Sequence, residues 1–555
     1  LRAPLLWFGV LEVAIAACVT FLTPLLDRLP LTFLTLFRYT GPRFWALQAA
    51  EAAVSAAVML LPAALMGLAF PLVTHIATEN LGAVGRRLAA VYAANTAGTV
   101  VGSFASGFIL IPLLGVRTAL AMGVMLNLAV GLAYLGPFVW RERSRLATVG
   151  VAAAALVIVS WPFLPDWNKA VLTSGAYIYP GFYLQGDARA IMQDKQILHY
   201  RDALTGTISV TSVSLPGLSD EPVISLQING KTDASTRDLS TQLMFAHLPA
   251  LLHPAPRKAL IIGLASGCTL GALELHPQIQ QIDCVEIEPE MKRVTDFFRH
   301  VNHDCLKDPR VRLVFDDARN FIRVTKECYD IITSEPSNPW IAGVANLFTK
   351  EYFVHCREHL TANGLFCQWF PIYNLAPWDL QCIVGTFRDV FPHCSLWLFP
   401  DLLSDAYLVG TLSPQRVDLG RVASGWNNPL VAADLKAAQL RDPWDFASGY
   451  LMGEDKLAAL SQAARRNTDD LPVLEFTSPL VLHTGIARVT MIEVLRMASR
   501  SQPPLVGCGR AFGQSYRSQL LGLTIGPAFS SLLDEYLSVR RDIDTYTQGD
   551  SEQWL

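Results

Sequence analysis

The second half of the chain carries glycines and carboxylates at the spacing of a nucleoside-binding site. Gly263-Leu-Ala-Ser266-Gly267 closes the apolar run Lys258–Gly263. Such a turn lets backbone approach a ligand, and the helix start after it offers unpaired amides. Glu286, with Glu288 beside it, follows the turn by about 20 residues, where an acidic side chain meets ribose hydroxyls in dinucleotide and adenosyl-cofactor folds alike. A third run ends in Asp316-Asp317-Ala318, and a fourth in Ser334-Glu335-Pro336, with Asn338 and Trp340 just beyond. A glycine turn alone is only a tight strand-to-helix corner; the turn together with two acidic strand ends is a far more specific pattern.

These residues need a frame that puts them on one edge. The runs Lys258–Gly263, Ile282–Ile287, Val311–Phe315, Tyr329–Thr333 and Gly364–Phe370 read as buried strands, with helices between them, one over 347–360. Strands and helices in alternation predict an α/β, doubly wound parallel sheet, which binds ligands at the carboxyl ends of its strands. Ahead of it, Gly206–Val213 and Val223–Ile228 alternate in polarity, with a turn at Asn229-Gly230, and a helix is expected over Asp238–Leu252. The expected division is a transmembrane helical domain over 1–165, a linker and small β subdomain over 166–235, a Rossmann-like domain over 236–411, and a mostly helical C-terminal extension over 412–555. Within the last, 485–546 reads as amphipathic helix with Arg540, Arg541 and Asp542 exposed, and no chemistry is assigned to it.

Hydrophobic residues make up 51% of the 555-residue chain and charged residues 17%, and the charges avoid residues 1–165. Spanning a bilayer takes about 20 apolar residues in a helix. Leu5–Leu26, Ala49–Ile76, Leu88–Leu114 and Thr118–Trp140 satisfy this, Ala147–Leu164 just does, and Leu31–Phe37 reads as interfacial or re-entrant. Ala94, Gly98, Gly102 and Gly107 are expected to let helices approach closely, and Asn95 and Asn127 to hydrogen-bond between helices. No cleavable signal peptide is expected, since Leu5–Leu26 is too long for a signal core; the first residue is Leu1, so upstream segments can be absent. With five spans, Arg86, Arg87, Arg141, Arg143 and Arg145 fall opposite the soluble part, which by the positive-inside rule leans towards an external soluble domain. A cofactor made in the cytosol argues the other way, and a multi-pass cell-membrane protein with a cytoplasmic soluble domain is the expectation adopted. A net charge of −4 without a basic tract argues against nucleic acid. The ten cysteines form no CxxC pair and no cluster with metal-ligand spacing, so no metal is expected and the thiols read as buried and reduced.

From about Tyr200 to Leu398 the sequence resembles the spermidine synthase (polyamine aminopropyltransferase) family, in the branch fused to N-terminal transmembrane helices. The family's GGGDGG-like turn corresponds to Gly263-Leu-Ala-Ser-Gly-Cys, its acidic EID-like strand end to Glu286-Ile-Glu288, and its aspartate before a small residue to Asp317-Ala318. A family glutamine ahead of the first strand matches Gln242. Ser334-Glu-Pro-Ser-Asn-Pro-Trp340 and Asn467-Thr-Asp-Asp-Leu-Pro-Val-Leu-Glu475-Phe476 are similar to the membrane-fused branch. The resemblance implies an S-adenosylmethionine-methyltransferase-like fold, a homodimeric soluble domain, and a cofactor, decarboxylated S-adenosylmethionine, held by Gln242, Gly263, Ser266, Gly267, Glu286 (ribose), Asp317 (adenine) and Ala318. It implies Glu335 as the base towards an amine such as putrescine, with Asn338, Trp340, Gln368 and Tyr373 around that substrate. The chain departs from the family where Glu335 and Asn338 replace aspartates of the catalytic loop, Ser266 replaces the aspartate of the turn, Thr241 replaces a tyrosine, and Asn229-Gly-Lys-Thr-Asp233 replaces an Asp-Gly-x-x-Gln strand motif.

A diamine is dicationic near neutrality because amine pKa values lie near 10. Its recognition wants carboxylates and aromatic faces, and one amine must lose a proton before attack. Glu335 reaches one methylene further than aspartate, Asn338 offers no charge, and Asp233 or Asp238 are the expected compensation. Trp340, Trp369, Tyr373 and Trp378 are read as an aromatic wall or, equally, as core. Asp469 and Asp470 are expected to cap amides or to close the substrate site. Two other readings stay open: an S-adenosylmethionine-dependent methyltransferase on the same fold, and a non-catalytic polyamine- or nucleoside-binding sensor or transport partner of the membrane helices.

Overall fold

The computed structural model describes residues 3–78, 84–214, 221–399, 405–484, 486–498 and 504–506. Two compact units divide the chain, one formed by Leu1–Pro222 with Gln227–Thr232 and the other by Val223–Leu226 with Asp233–Leu555.

In the first unit, five helical segments among the described residues are long and apolar enough to cross a membrane: Pro4–Thr40, Phe44–Ala77, Val84–Leu114, Val116–Trp140 and Arg145–Phe163. The short run read as interfacial or re-entrant is the helix Leu29–Thr40, continued from Pro4–Leu22 through a 3₁₀ turn at Thr23–Arg28. The helices Pro4–Leu22, Val116–Trp140 and Arg145–Ser160 share an apolar seam of Val13, Ala16, Val124, Leu128, Leu135, Ala147, Ala154 and Val157. Small residues permit this approach, but not those expected. A Cβ on Gly9, Gly131 or Gly150 would meet Leu135, Val13 or Leu135 at 2.9, 2.8 and 2.7 Å, whereas Gly98, Gly102 and Gly107 face open space. Sequence marks a small residue but not which way its helix turns it.

Small strands follow. Gln196–Asp202 (β1) pairs antiparallel with Thr207–Val213 (β2), and Val223–Ile228 (β3) and Lys231–Ser235 (β4) flank the expected turn. Asn229 and Gly230 both take positive φ, 50° and 83°, the primed hairpin geometry that favours Asn-Gly.

The second unit is built on an eight-stranded sheet. Its strands are Lys258–Ile262 (β5), Gln281–Glu286 (β6), Val311–Phe315 (β7), Tyr329–Ser334 (β8), Leu360–Pro371 (β9), His393–Trp397 (β10), Asp405–Thr411 (β11) and, after Val417–Asp418 (β12) in a separate pair, Tyr450–Met452 (β13). The order is β13-β10-β11-β9-β8-β5-β6-β7. The β7-β6-β5-β8-β9 half is parallel, which the alternation of strands and helices predicts; β11, β10 and β13 add antiparallel strands. This is a Rossmann-like, methyltransferase-like sheet. Ala259, Leu260 and Ile261 have no solvent exposure, as a central parallel strand covered on both faces requires. The helix Leu239–Leu252 is buried from Ser240 to Leu251, so its apolar character runs all round. Phe366 on β9 packs against Phe387 and Phe391, with centroids 4.6–5.8 Å apart among the three. In the C-terminal extension the helix Ile486–Ala498 begins the expected amphipathic segment, while Leu505–Val506 is a strand (β14) beside β12 rather than helix. Arg540, Arg541 and Asp542 lie outside the described residues.

The order of strands reverses at β5, whose neighbours are β6 and β8, and a ligand crevice opens at the carboxyl ends around such a switch point. The helix Cys268–Glu274, which leaves the turn after β5, packs directly on the chain at Asn302: a Cβ on Gly271 would lie 2.0 Å from the Asn302 carbonyl oxygen. Gly271→Ala is therefore expected to cost about 1–3 kcal/mol through overpacking, read as a lowered denaturation midpoint of the purified protein.

Candidate active site

The turn after β5 is shaped by its glycines. Gly263 and Gly267 have φ of +97° and +81°, and Ala265 is held at +46° between them. The Gly263 amide donates to the Val285 carbonyl at 2.9 Å, and the Glu335 amide donates to the Ile262 carbonyl at 3.2 Å. The turn is thus fastened to the ends of both neighbouring strands. Glu286, at the end of β6, completes the fastening: its two carboxylate oxygens accept the amides of Leu264 at 2.8 Å and Glu288 at 2.9 Å. Burial pushes its carboxyl above the usual range, and these amide bonds oppose the rise. Below the turn, Asn302 donates through Nδ2 to the Ser266 carbonyl and to the Thr295 carbonyl, both at 2.9 Å.

Gln242 and Ser266 meet directly, Ser266 Oγ donating to Gln242 Oε1 in a short hydrogen bond. Gln242 Nε2 in turn donates to the Ser235 carbonyl and to Asp238 Oδ1, each at 3.0 Å. Thr269, second residue of the helix, has its hydroxyl 3.0 Å from Glu335 Oε2 and 3.1 Å from the Gln242 carbonyl, two acceptors that share its one proton. Five residues that the sequence singles out, Gln242, Gly263, Ser266, Glu286 and Glu335, therefore belong to one web around the turn. Burial pushes the Glu335 carboxyl up to about 8; the Thr269 hydroxyl lowers it, and the negative charges of Asp238 and Asp405 raise it further. Asp238 itself is pushed up to about 6, again chiefly by burial. Three carboxyls thus share one poorly hydrated region, a setting in which a cation is favoured and a lone carboxyl holds its proton to unusually high pH.

Asp317 lies at the end of β7 as expected, and its side chain caps the helix Ala318–Val324 by accepting the amides of Arg319 at 2.8 Å and Asn320 at 3.1 Å. On the other flank, Asn338 is fully buried, and neither Nδ2 nor Oδ1 has a partner among the described residues. Trp340 Nε1 and Gln368 Oε1 are likewise buried and unpartnered. Buried polar atoms are nearly always satisfied, so a ligand or water that bonded Asn338, Trp340 and Gln368 would meet a need of this flank. Gln368 sits on β9 in register with Ser334, the residue before Glu335. Tyr373 is half-buried just beyond β9. The aromatic wall is only partly formed: Trp369 is buried and its indole donates to Asp405 Oδ1 at 3.0 Å, while Trp378 is 49% exposed on the first turn of the helix Pro377–Arg388. Asp233 accepts from Ser337 Oγ at 2.5 Å and so steadies the Glu335–Trp340 loop from β4.

Sequence reasoning missed Thr269, Asn302 and Asp405. Thr269 carries a faint signal, since it stands inside the glycine turn's helix. Asp405 has none, because antiparallel β11 lies outside the alternating strand–helix pattern.

Burial of Glu335 has a cost whose sign is fixed. Burial pushes the carboxyl from an ordinary 4.5 up to about 8, so the folded protein holds an extra proton between these values and loses stability as pH rises through them. Glu335→Gln removes that loss. The variant is expected to melt higher than the parent at pH 8.5 and to differ little at pH 5; an equal shift at both would deny the buried charge.

Part of the chain is similar to known proteins. Residues 239–414 match the spermine/spermidine synthase domain. A polyamine aminopropyltransferase of Buchnera aphidicola is 34% identical over 139 residues, 25% of this chain and 48% of the relative. One from Clostridium perfringens is 28% identical over 189 residues, 33% of this chain and 66% of the relative. The chain spans about half the length of the first of these curated relatives. Among solved structures, the spermidine synthase of Thermotoga maritima is 21% identical with a TM-score of 0.33, over 39% of this chain and 73% of that one. Residues 239–414 thus resemble the spermine/spermidine synthase domain, on a chain similar in part to polyamine aminopropyltransferases.

Proposed function

We propose that the chain is a membrane-anchored aminopropyltransferase, moving an aminopropyl group from decarboxylated S-adenosylmethionine to an amine such as putrescine. The observation that carries this reading is Glu335, a carboxyl pushed up to about 8 at the end of β8 and bonded through Thr269 to the turn. A general base works best with a pKa near the operating pH.

The residues fit an adenosyl co-substrate. A carboxylate has about four acceptor positions, so Glu286 can take ribose hydroxyls while still bracing the turn. Gln242, Gly263, Ser266 and Gly267 would border the donor, with Asp317 and Ala318 towards the adenine. Decarboxylated S-adenosylmethionine supplies a methylene carbon made electrophilic by the adjacent sulfonium. Glu335 accepts the proton from the acceptor's ammonium, freeing the nitrogen lone pair; the new C–N bond forms as the C–S bond breaks, and a neutral thioether leaves. Asp238 and Asp405 supply negative charge near Glu335 that favours a cationic acceptor. Asn338, Trp340, Gln368 and Tyr373 are assigned to the acceptor's other end, where the unpartnered amide of Asn338 can accept from an ammonium without offering it charge.

The five apolar helical segments support anchoring by length and composition, and the cytosolic origin of the donor supports a cytoplasmic catalytic domain; homodimerisation of that domain is part of the proposal. The test is turnover: purified protein given decarboxylated S-adenosylmethionine and putrescine should release methylthioadenosine and spermidine. Release of S-adenosylhomocysteine from intact S-adenosylmethionine instead would establish methyl transfer and refute the proposal. Asn338→Asp is expected to lower the KM for putrescine several-fold by placing a charge at its second ammonium; an unchanged or raised KM in steady-state kinetics would argue against a diamine acceptor.

A further inference from the structure

The acceptor side of the site is held from outside the spermine/spermidine synthase domain. Residues 467–475 lie beyond the matched span of 239–414, yet their polar groups are directed at the loop that continues from Asn338 and Trp340. That loop is a relay of turns. The Ile341 amide donates to the Asn338 carbonyl at 3.0 Å, and the Val344 amide donates to the Ile341 carbonyl at 3.0 Å. Between them Gly343, at φ +82°, directs its amide outward to Glu475, whose two carboxylate oxygens accept it at 3.0 and 3.1 Å. Two residues on, the Ala345 carbonyl accepts from Asn467 Nδ2 at 2.9 Å.

Asn467 is fully buried and all its polar groups are used. Its amide donates to Thr386 Oγ1 at 2.9 Å, its Oδ1 accepts the Leu474 amide at 3.2 Å, and its carbonyl accepts the Lys350 amide at 2.9 Å. The same segment reaches the donor side. Asp469 pairs with Arg319 at 2.5 Å, one residue past Ala318, and Arg319 also donates to the Asn346 carbonyl at 2.9 Å. Asp469, read from sequence as an amide cap or a closure of the site, accepts no backbone amide among the described contacts; its own amide donates to Glu351 at 2.9 Å.

We infer that Asn467–Glu475 is a positioning strap: Glu475 and Asn467 fix the 341–346 loop and through it the backbone of Asn338, setting the place of the acceptor amine. The inference rests on the aminopropyl-transfer reading for its substrate and on the strap's geometry for its mechanism. Neither residue is assigned to contact substrate. Glu475 accepts a backbone amide with a charged group, a bond roughly twice as strong as a neutral one, and the relay from Gly343 to Asn338 contains no other side-chain anchor in the described contacts.

The test compares Glu475→Ala, Glu475→Gln and the parent in three readouts on the full-length protein: steady-state kinetics with putrescine, calorimetric binding of methylthioadenosine, and amide hydrogen exchange over 338–346. Glu475→Ala should raise the KM for putrescine about tenfold or more with kcat much less affected, leave methylthioadenosine binding unchanged, and speed exchange in the loop. Glu475→Gln, which keeps a carbonyl oxygen for Gly343, should recover most of the loss. A variant that loses kcat, both affinities and melting temperature together would reduce Glu475 to general structural support and overturn the inference. If the parent turns over no amine, the aminopropyl reading fails separately. The exchange data then decide the strap alone: faster exchange in Glu475→Ala upholds it, and unchanged exchange overturns it.

Discussion

The carboxyl edge of the sheet depends on one buried carboxylate. Glu286 ends β6 and accepts the Leu264 amide from the turn that ends β5, so two adjacent strands are tied at the point where the strand order reverses. An unbraced turn of this kind would leave amides unsatisfied in a buried place, at a cost comparable to a lost hydrogen bond for each. The positive φ of Gly263 and Gly267 allows the path, and the carboxylate holds it. Everything else in the site is hung from that turn: Ser266 on Gln242, Thr269 on Glu335, and Asn302 beneath the Ser266 carbonyl.

The second consequence is electrostatic. Fastening the turn so tightly excludes water from Glu335, and Asp238 and Asp405 add like charge, so the carboxyl holds its proton far above its ordinary range. The unbonded polar atoms of Asn338, Trp340 and Gln368 form the complementary feature, donors and acceptors without a partner among the described residues. In the proposed reading, a cationic, hydrogen-bonding molecule entering here would favour the ionised carboxyl and satisfy the unbonded groups.

Much of this was legible because it is local or periodic. The runs that became β5 to β9 are continuous and apolar, Asn229-Gly230 states its own turn, and the interval from the glycine turn to Glu286 follows from one strand–helix–strand unit. What was hidden depends on distant chain meeting. Gly343 and Glu475 are 132 residues apart, and neither type of residue declares the other. Antiparallel β10, β11 and β13 carry Asp405 into the site without the helical punctuation that marks the parallel strands. Helix rotation was equally unreadable: Gly98, Gly102 and Gly107 looked like the contact face, and Gly9, Gly131 and Gly150 occupy it. Trp378, which the sequence allows as aromatic wall or as core, lies on a helix's first turn that leaves it half in solvent.

In the proposed mechanism burial makes Glu335 a base matched to neutral pH, and the pH dependence of kcat/KM for the acceptor amine decides whether it does. The profile should rise through a limb near pH 8 in the parent. In Glu335→Gln that limb should vanish, with the remaining rate lower by about 10²–10⁴-fold and still climbing towards the amine's own pKa. A parent profile without a limb near 8, or one that Glu335→Gln leaves in place, would contradict the account.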